Sequence, residues 1–196
     1  MRYADTHKRE TRRRVLRAAA AALRVHGPVG FSVAEIMAEA GLTHGGFYAH
    51  FASKEALIVS AIDQAFGETG ARHARRAAGR TAPEALAGFV DAYLSPRHRD
   101  DPSRGCPIAA LANDMPRQGA PVRAAYDRGV AAMLSRLERW MPEVEPQDRR
   151  GLAASVLAEV VGALTLSRAI EAPETADRLL AESRRRVKAR LGLAAD

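Results

Sequence analysis

The feature that most constrains this chain is the spacing of its apolar residues. They return at helical intervals, and no stretch alternates apolar and polar residues long enough for a strand. Alanine, leucine, arginine and glutamate dominate, all good helix formers. Glycines and prolines fall mostly between the periodic segments. The expected fold class is therefore all-α, with about nine helices. The 196 residues are 47% apolar, enough to bury a core without staples. The single cysteine, Cys106, excludes a disulfide framework and a thiolate zinc finger. No metal or cofactor is expected.

Helix boundaries are written in local chemistry. A first helix is expected over about 6–26, ended by Gly27 and Pro28. Ser32-Val33-Ala34-Glu35 has the form of a capping box and opens a short helix to about Ala40. Gly41 breaks it. Thr43 is placed to cap a third short helix and Ser53 a fourth, over 54–78. Further helices are expected over 83–95, 106–117, 121–141, 146–170 and 174–191. Pro83, Pro107, Pro121, Pro146 and Pro173 fall at or near their starts. The segment 95–105 reads as a loop.

Thirty basic residues against 23 acidic give a net charge of +7. That implies an acidic partner without naming it. The longest mostly apolar run, 151–167, is interrupted by Glu159 and is shorter than the about 20 residues of a spanning helix. Residues 18–23 are too few for a signal-peptide core. The expectation is a soluble, cytoplasmic protein with no membrane partner.

Residues 33–40 and 44–50, joined at Gly41, have the layout of a helix-turn-helix. Ile36, Ala40, Leu42 and Phe47 are placed to pack the two helices together. Such a motif sets its second helix in the DNA major groove. A basic arm precedes it: residues 1–17 hold seven cations (Arg2, Lys8, Arg9, Arg12, Arg13, Arg14 and Arg17) against Asp5 and Glu10. An arm of this kind tracks the phosphate backbone.

Ala40-Gly41-Leu42, Phe47-Tyr48 and Phe51-Ala52-Ser53-Lys54-Glu55, within the stretch from Phe31 to Leu57, resemble the DNA-binding domain of TetR-type transcriptional regulators. The resemblance covers about residues 9–60. It implies a helix-turn-helix domain over 1–53 and a helical effector-binding and dimerisation domain over 54–196. It implies that Tyr48 and Lys54 contact operator phosphates and that Thr43, His44, Gly45 and His50 face base edges or backbone. Ser32 would meet a phosphate, Arg12 and Arg13 belong to the basic arm, and Gly46 would allow close approach of the backbone. Three positions depart from the family pattern: Met37 in place of alanine, His44 in place of lysine, and Gly46 inside the recognition helix.

The resemblance also implies a homodimer built on the last two long helices, with Val156, Val160, Leu164 and Leu179 as candidate contacts. A small apolar effector would meet Phe66, Phe89, Tyr93, Cys106, Leu111, Met115, Tyr126, Met133, Leu137 and Trp140, a mixture of Met and aromatics that suits an apolar ligand. Each of these residues can equally be ordinary core. The basic run Arg184, Arg185, Arg186, Lys188 and Arg190 reads as a solvated helix face. The function implied is a dimeric repressor, bound to a pseudo-palindromic site on double-stranded DNA and released by its effector. Two alternatives use Cys106, which stands at an expected helix start: a thiol-sensing switch, or an enzyme pairing Cys106 with His98. No third catalytic group stands out, and the chain is expected not to be an enzyme.

Overall fold

The computed structural model describes residues 2–30, 32–142 and 145–193, without the side chains of residues 2–5, His44, Pro146 and Gln147. Among these residues there are nine α-helices, three short 3-10 helices and no strand. The α-helices are α1 (Arg2–His26), α2 (Val33–Glu39), α3 (Lys54–Ala77), α4 (Ala82–Tyr93), α5 (Pro96–Asp100), α6 (Pro107–Leu111), α7 (Ala120–Glu138), α8 (Pro146–Ala169) and α9 (Pro173–Arg190).

The local signals act as their chemistry dictates. Ser32 Oγ accepts from Glu35 N at 3.2 Å, and Glu35 Oε2 accepts from Ser32 N at 2.8 Å. Both orphan amides at the start of α2 are thereby satisfied. Ser53 Oγ accepts from Ala56 N at the start of α3. Gly41 ends the α2 turn with φ at 71°, a left-handed conformation that glycine adopts without strain. Pro83, Pro107, Pro146 and Pro173 stand in the first turns of their helices, where a missing amide costs little.

Three expectations change. The segment 95–105 is not a plain loop: Ser95 Oγ accepts from His98 N and starts α5, and a 3-10 turn (Pro102–Arg104) follows. The helix expected over 106–117 is split into α6 and a 3-10 turn (Met115–Arg117), whose second residue is Pro116. The helix after Thr43 is a 3-10 helix (His44–Ala49), and Thr43 makes no side-chain cap. Two adjacent glycines, Gly45 and Gly46, remove the propensity that would hold a regular α turn.

The chain forms two compact units. The first is Met1–Glu68 with Cys106–Gly129, and the second is Thr69–Gly105 with Val130–Asp196. In the first, α1 packs on α2 and α6, and α2 packs on the 3-10 helix His44–Ala49. Leu23, Ile36, Met37, Phe47, Leu57, Ile62 and Leu111 are buried in one core there. Burying a side chain of this size contributes about 1.5–3 kcal/mol. The helix-turn-helix therefore shares its core with the first half of α3 and with residues from 106–129, and a single cut at residue 53 does not separate it.

In the second unit α8 packs on α9, α4 and α5. By length and composition Asp148–Ala169 could cross a membrane, although the run 151–167 looked too short for that. One face of this helix belongs to the core. Val156, Val160 and Leu164 are fully buried within the chain, and Glu159 pairs with Arg190 at 2.8 Å. The C-terminal basic run is not all a solvated face. Lys188 is buried and its Nζ donates to Asp91 at 3.2 Å, tying α9 to α4. Arg185 and Arg186 both bond Glu182.

Candidate nucleic-acid interface

The interface is built outward from two phenylalanines. Phe47 and Phe51 are buried and stacked at 5.7 Å, which anchors the 3-10 helix His44–Ala49 to the core. Tyr48 then has to point away. It is 72% exposed, with its ring edge-on to Phe47 at 5.2 Å. A large aromatic ring held in solvent is an unusual use of apolar surface, and a phenol at its tip suits a phosphate contact. Thr43 and Gly45 are exposed beside it, and Lys54 is half-exposed at the first position of α3. Ser32 is exposed, with its hydroxyl already engaged in the α2 cap.

Met37 and Gly46 are close neighbours. Met37 is fully buried, and a Cβ on Gly46 would lie 3.7 Å from Met37 Cε, in ordinary van der Waals contact. The larger side chain on α2 is thus accommodated, and packing against it does not by itself require a glycine at position 46.

Arg12 links the basic arm to this surface. Its guanidinium lies over the Phe51 ring at 4.9 Å and its Nη2 donates to Ser60 Oγ at 3.5 Å. His50 lies beside Phe51, with ring centroids 6.5 Å apart. Burial, followed by the nearby Lys8 and Arg12, lowers the His50 pKa. The shift favours the neutral ring, a hydrogen-bonding group rather than a cation. Arg13 is exposed on α1, and its carbonyl accepts from Arg17 Nε. The side chains of His44 and Arg2 and the whole of Phe31 lie outside the described residues.

The residues expected around an effector fall in two groups. Phe66, Cys106, Leu111, Met115 and Tyr126 belong to the first unit. Leu111 and Met115 are part of its core. Tyr126 donates to the Ile108 carbonyl at 3.3 Å and meets Phe66 edge-on, and burial raises its pKa to about 12. Phe89, Tyr93, Met133, Leu137 and Trp140 belong to the second unit, where all but Trp140 are buried. Of the expected dimer contacts, Val156, Val160 and Leu164 face the chain's own interior, so a second copy cannot reach them. The sequence shows the apolar period of α8 but not which face its neighbours take. Leu179 is half-buried. Leu166, 58% exposed, marks the open face.

Neither Cys106 alternative gains from the geometry. Cys106 is 1% exposed. His98 Nδ1 hydrogen-bonds the Tyr93 carbonyl at 2.8 Å, and burial lowers its pKa to about 4, which makes the ring a weak base. The two residues belong to different compact units. Among the described residues no cluster of His, Cys, Asp or Glu could hold a metal ion.

Sequence reasoning missed Arg24, His73 and Arg136. Arg24 is buried in α1, bonding the Ala65 carbonyl at 2.8 Å and Glu68 at 2.9 Å. Its signal was an arginine on the apolar side of a helix, four residues after Ala20. His73 and Arg136 had no local signal.

The sequence profile described as "Bacterial regulatory proteins, tetR family" matches residues 15–61. No curated protein matches the chain. Among solved structures, a TetR transcriptional regulator from Chloroflexus aurantiacus is similar along nearly the whole length. It is 26% identical, with 95% of this chain and 96% of that one covered and a TM-score of 0.80. Escherichia coli NemR, in its reduced form, is 18% identical over 92% of this chain and 96% of its own, with a TM-score of 0.77. A TetR transcriptional regulator from Legionella pneumophila is 20% identical over 91% of this chain and 95% of its own, with a TM-score of 0.78.

Proposed function

We propose that this chain, whose N-terminal segment matches the tetR-family profile and whose fold is similar to solved TetR regulators, is a DNA-binding transcriptional regulator of that type, a dimeric repressor released from a pseudo-palindromic operator by a small molecule. The observation that carries the DNA reading is the outward Tyr48 on a 3-10 helix locked by Phe47 and Phe51, with Arg12 of α1 over the Phe51 ring. In this reading residues 1–53 hold the DNA contacts Ser32, Thr43, His44, Gly45, Gly46, Tyr48 and His50, with Arg12 and Arg13 from the arm, and Lys54 at the start of α3 adds one more. Residues 54–196 hold the effector and dimer functions. Exposed Ala154, Ala158, Leu166 and Ala169 recur at helical spacing along α8 and supply the face for a second copy. α3 carries Lys54 at its start and continues to Ala77, so a shift in α3 moves a DNA contact directly. The thiol-switch reading is disfavoured because the Cys106 thiol is withheld from electrophiles.

Selection of bound fragments from a DNA library tests the proposal. A site with two half-sites about one helical turn apart is expected. Lys54→Ala should weaken binding to all sequences and reduce the salt slope by about 1. Tyr48→Ala should weaken binding with little change in slope, because a phenol releases no counterion. Affinity unchanged in both variants would overturn the reading.

A further inference from the structure

The second unit holds a basic and aromatic cluster that DNA binding does not use. His73 stands on α3, Phe89 and Tyr93 on α4, His98 on α5, Arg136 on α7, and Trp140 just past the end of α7. The rings are continuous. His73 meets Phe89 edge-on at 5.2 Å, and Phe89 lies 6.2 Å from Trp140 and 5.3 Å from Tyr93.

Two polar groups of the cluster are left over. His73 is 8% exposed, and its Nδ1 is buried with no hydrogen-bond partner among the described residues. Arg136 is half-buried, and its guanidinium has no carboxylate or hydrogen-bond partner among the described residues. It lies flat on α3 at Gly70, where a Cβ would fall 2.9 Å from Nη2. Gly70 precedes His73 by three residues, so the guanidinium and the imidazole share one face of α3. Two neighbouring cations are occupied: Arg72 donates to the Arg104 carbonyl at 2.6 Å, and Arg168 donates to the His98 carbonyl at 2.8 Å. The groups that act on His73 after burial are Arg136, Arg72, Arg76 and His98, none of them an acid. Buried polar groups and cations are ordinarily matched. Here neither group is paired with an acid among the described residues.

We propose that this cluster is the effector site and that it takes an organic carboxylate with an apolar body, its oxygens accepting from the Arg136 guanidinium and from His73 Nδ1–H while the body lies on Phe89 and Trp140. The inference rests on the effector-responsive reading and sharpens it, because a purely apolar ligand would leave both donors unmatched. A planar guanidinium fits a carboxylate in two-point geometry. The neutral histidine needs no protonation to donate one hydrogen bond. Arg136 and Trp140 are both only half-buried, which leaves this side open to a ligand.

Trp140 is the single tryptophan, so its fluorescence reports on the site directly. Octanoate and 4-phenylbutanoate, compared with their amides, are the probes. Saturable fluorescence changes are expected for the acids, with the amides at least tenfold weaker. Arg136→Gln should weaken the acids at least tenfold and leave the amides unchanged, and Arg136→Lys should restore part of the difference. Unaltered circular dichroism and operator affinity of ligand-free Arg136→Gln exclude misfolding as the cause. Acids and amides that bind alike, acids that do not saturate, or an Arg136→Gln protein that binds acids normally would each overturn the site. Acid binding that leaves the operator complex intact would overturn its effector role. A ligand-free protein that selects no operator would instead overturn the regulator reading, with the fluorescence result standing apart from it.

Discussion

The two compact units treat an arginine drawn out of water, fully at Arg24 and partly at Arg136, in opposite ways. In the first, Arg24 is tied to the Ala20 and Ala65 carbonyls and to Glu68. The matching is internal, and the guanidinium acts as a brace between α1 and α3. In the second, Arg136 lies on the face of α3 that carries His73, with no ion-pair partner among the described residues, and the groups that act on His73 are Arg136, Arg72, Arg76 and His98. A matched cation holds a unit together, whereas an unmatched one is a standing demand for an anion. In the proposed function the first unit presents a fixed DNA-reading surface, and the second is the part that gains from a ligand.

Stability measurements can break this comparison. The largest change is expected from Arg24→Ala, which removes both the brace and the buried stem. Chemical denaturation should show a loss of about 2–3 kcal/mol, moderated because Glu68 can rehydrate. His73 comes next. Burial, with Arg136 and the other nearby cations, lowers its pKa from 6.5 to about 3. The folded state therefore binds fewer protons than the unfolded state between these values. Stability is held above pH 6.5 and falls as pH drops, by about 1.4 kcal/mol per pH unit from this ring. His98, lowered to about 4, adds the same slope down to that pH. His73→Phe should remove one share of the slope, as denaturation midpoints across pH 4–6.5 would show. An unchanged slope would mean that His73 is not held neutral. The smallest change is expected from Arg136→Leu. Removal of an unmatched cation should leave stability within about 1 kcal/mol and more often raise it. A loss on the scale of Arg24→Ala would show that Arg136 has an internal partner and would end the contrast.

Much of the first unit is legible from sequence because its signals are local. The Ser32–Glu35 capping box, the left-handed Gly41 and the Ser53 cap are each set within three or four residues. Outward Tyr48 follows from its place between Phe47 and Phe51. The conversion of the next helix to 3-10 form was less legible, although Gly45-Gly46 is a local cause. Val156, Val160 and Leu164 show where reading stops. Their spacing announces a helix with an apolar face, but α9, α4 and α5 decide that this face is interior.

The sequence by itself determined an all-helical chain, most helix starts and stops, the helix-turn-helix and its basic arm. These depend on backbone hydrogen bonding, capping and periodicity, which act over one or two turns. The tertiary structure alone decided that Arg24 is a brace, that Lys188 is internal, and that His73 and Arg136 share one face of α3. Burial and charge matching depend on residues brought together from distant parts of the chain. Arg136 stands 63 positions from His73 in sequence. No local pattern can say whether a cation so placed has met its counter-charge.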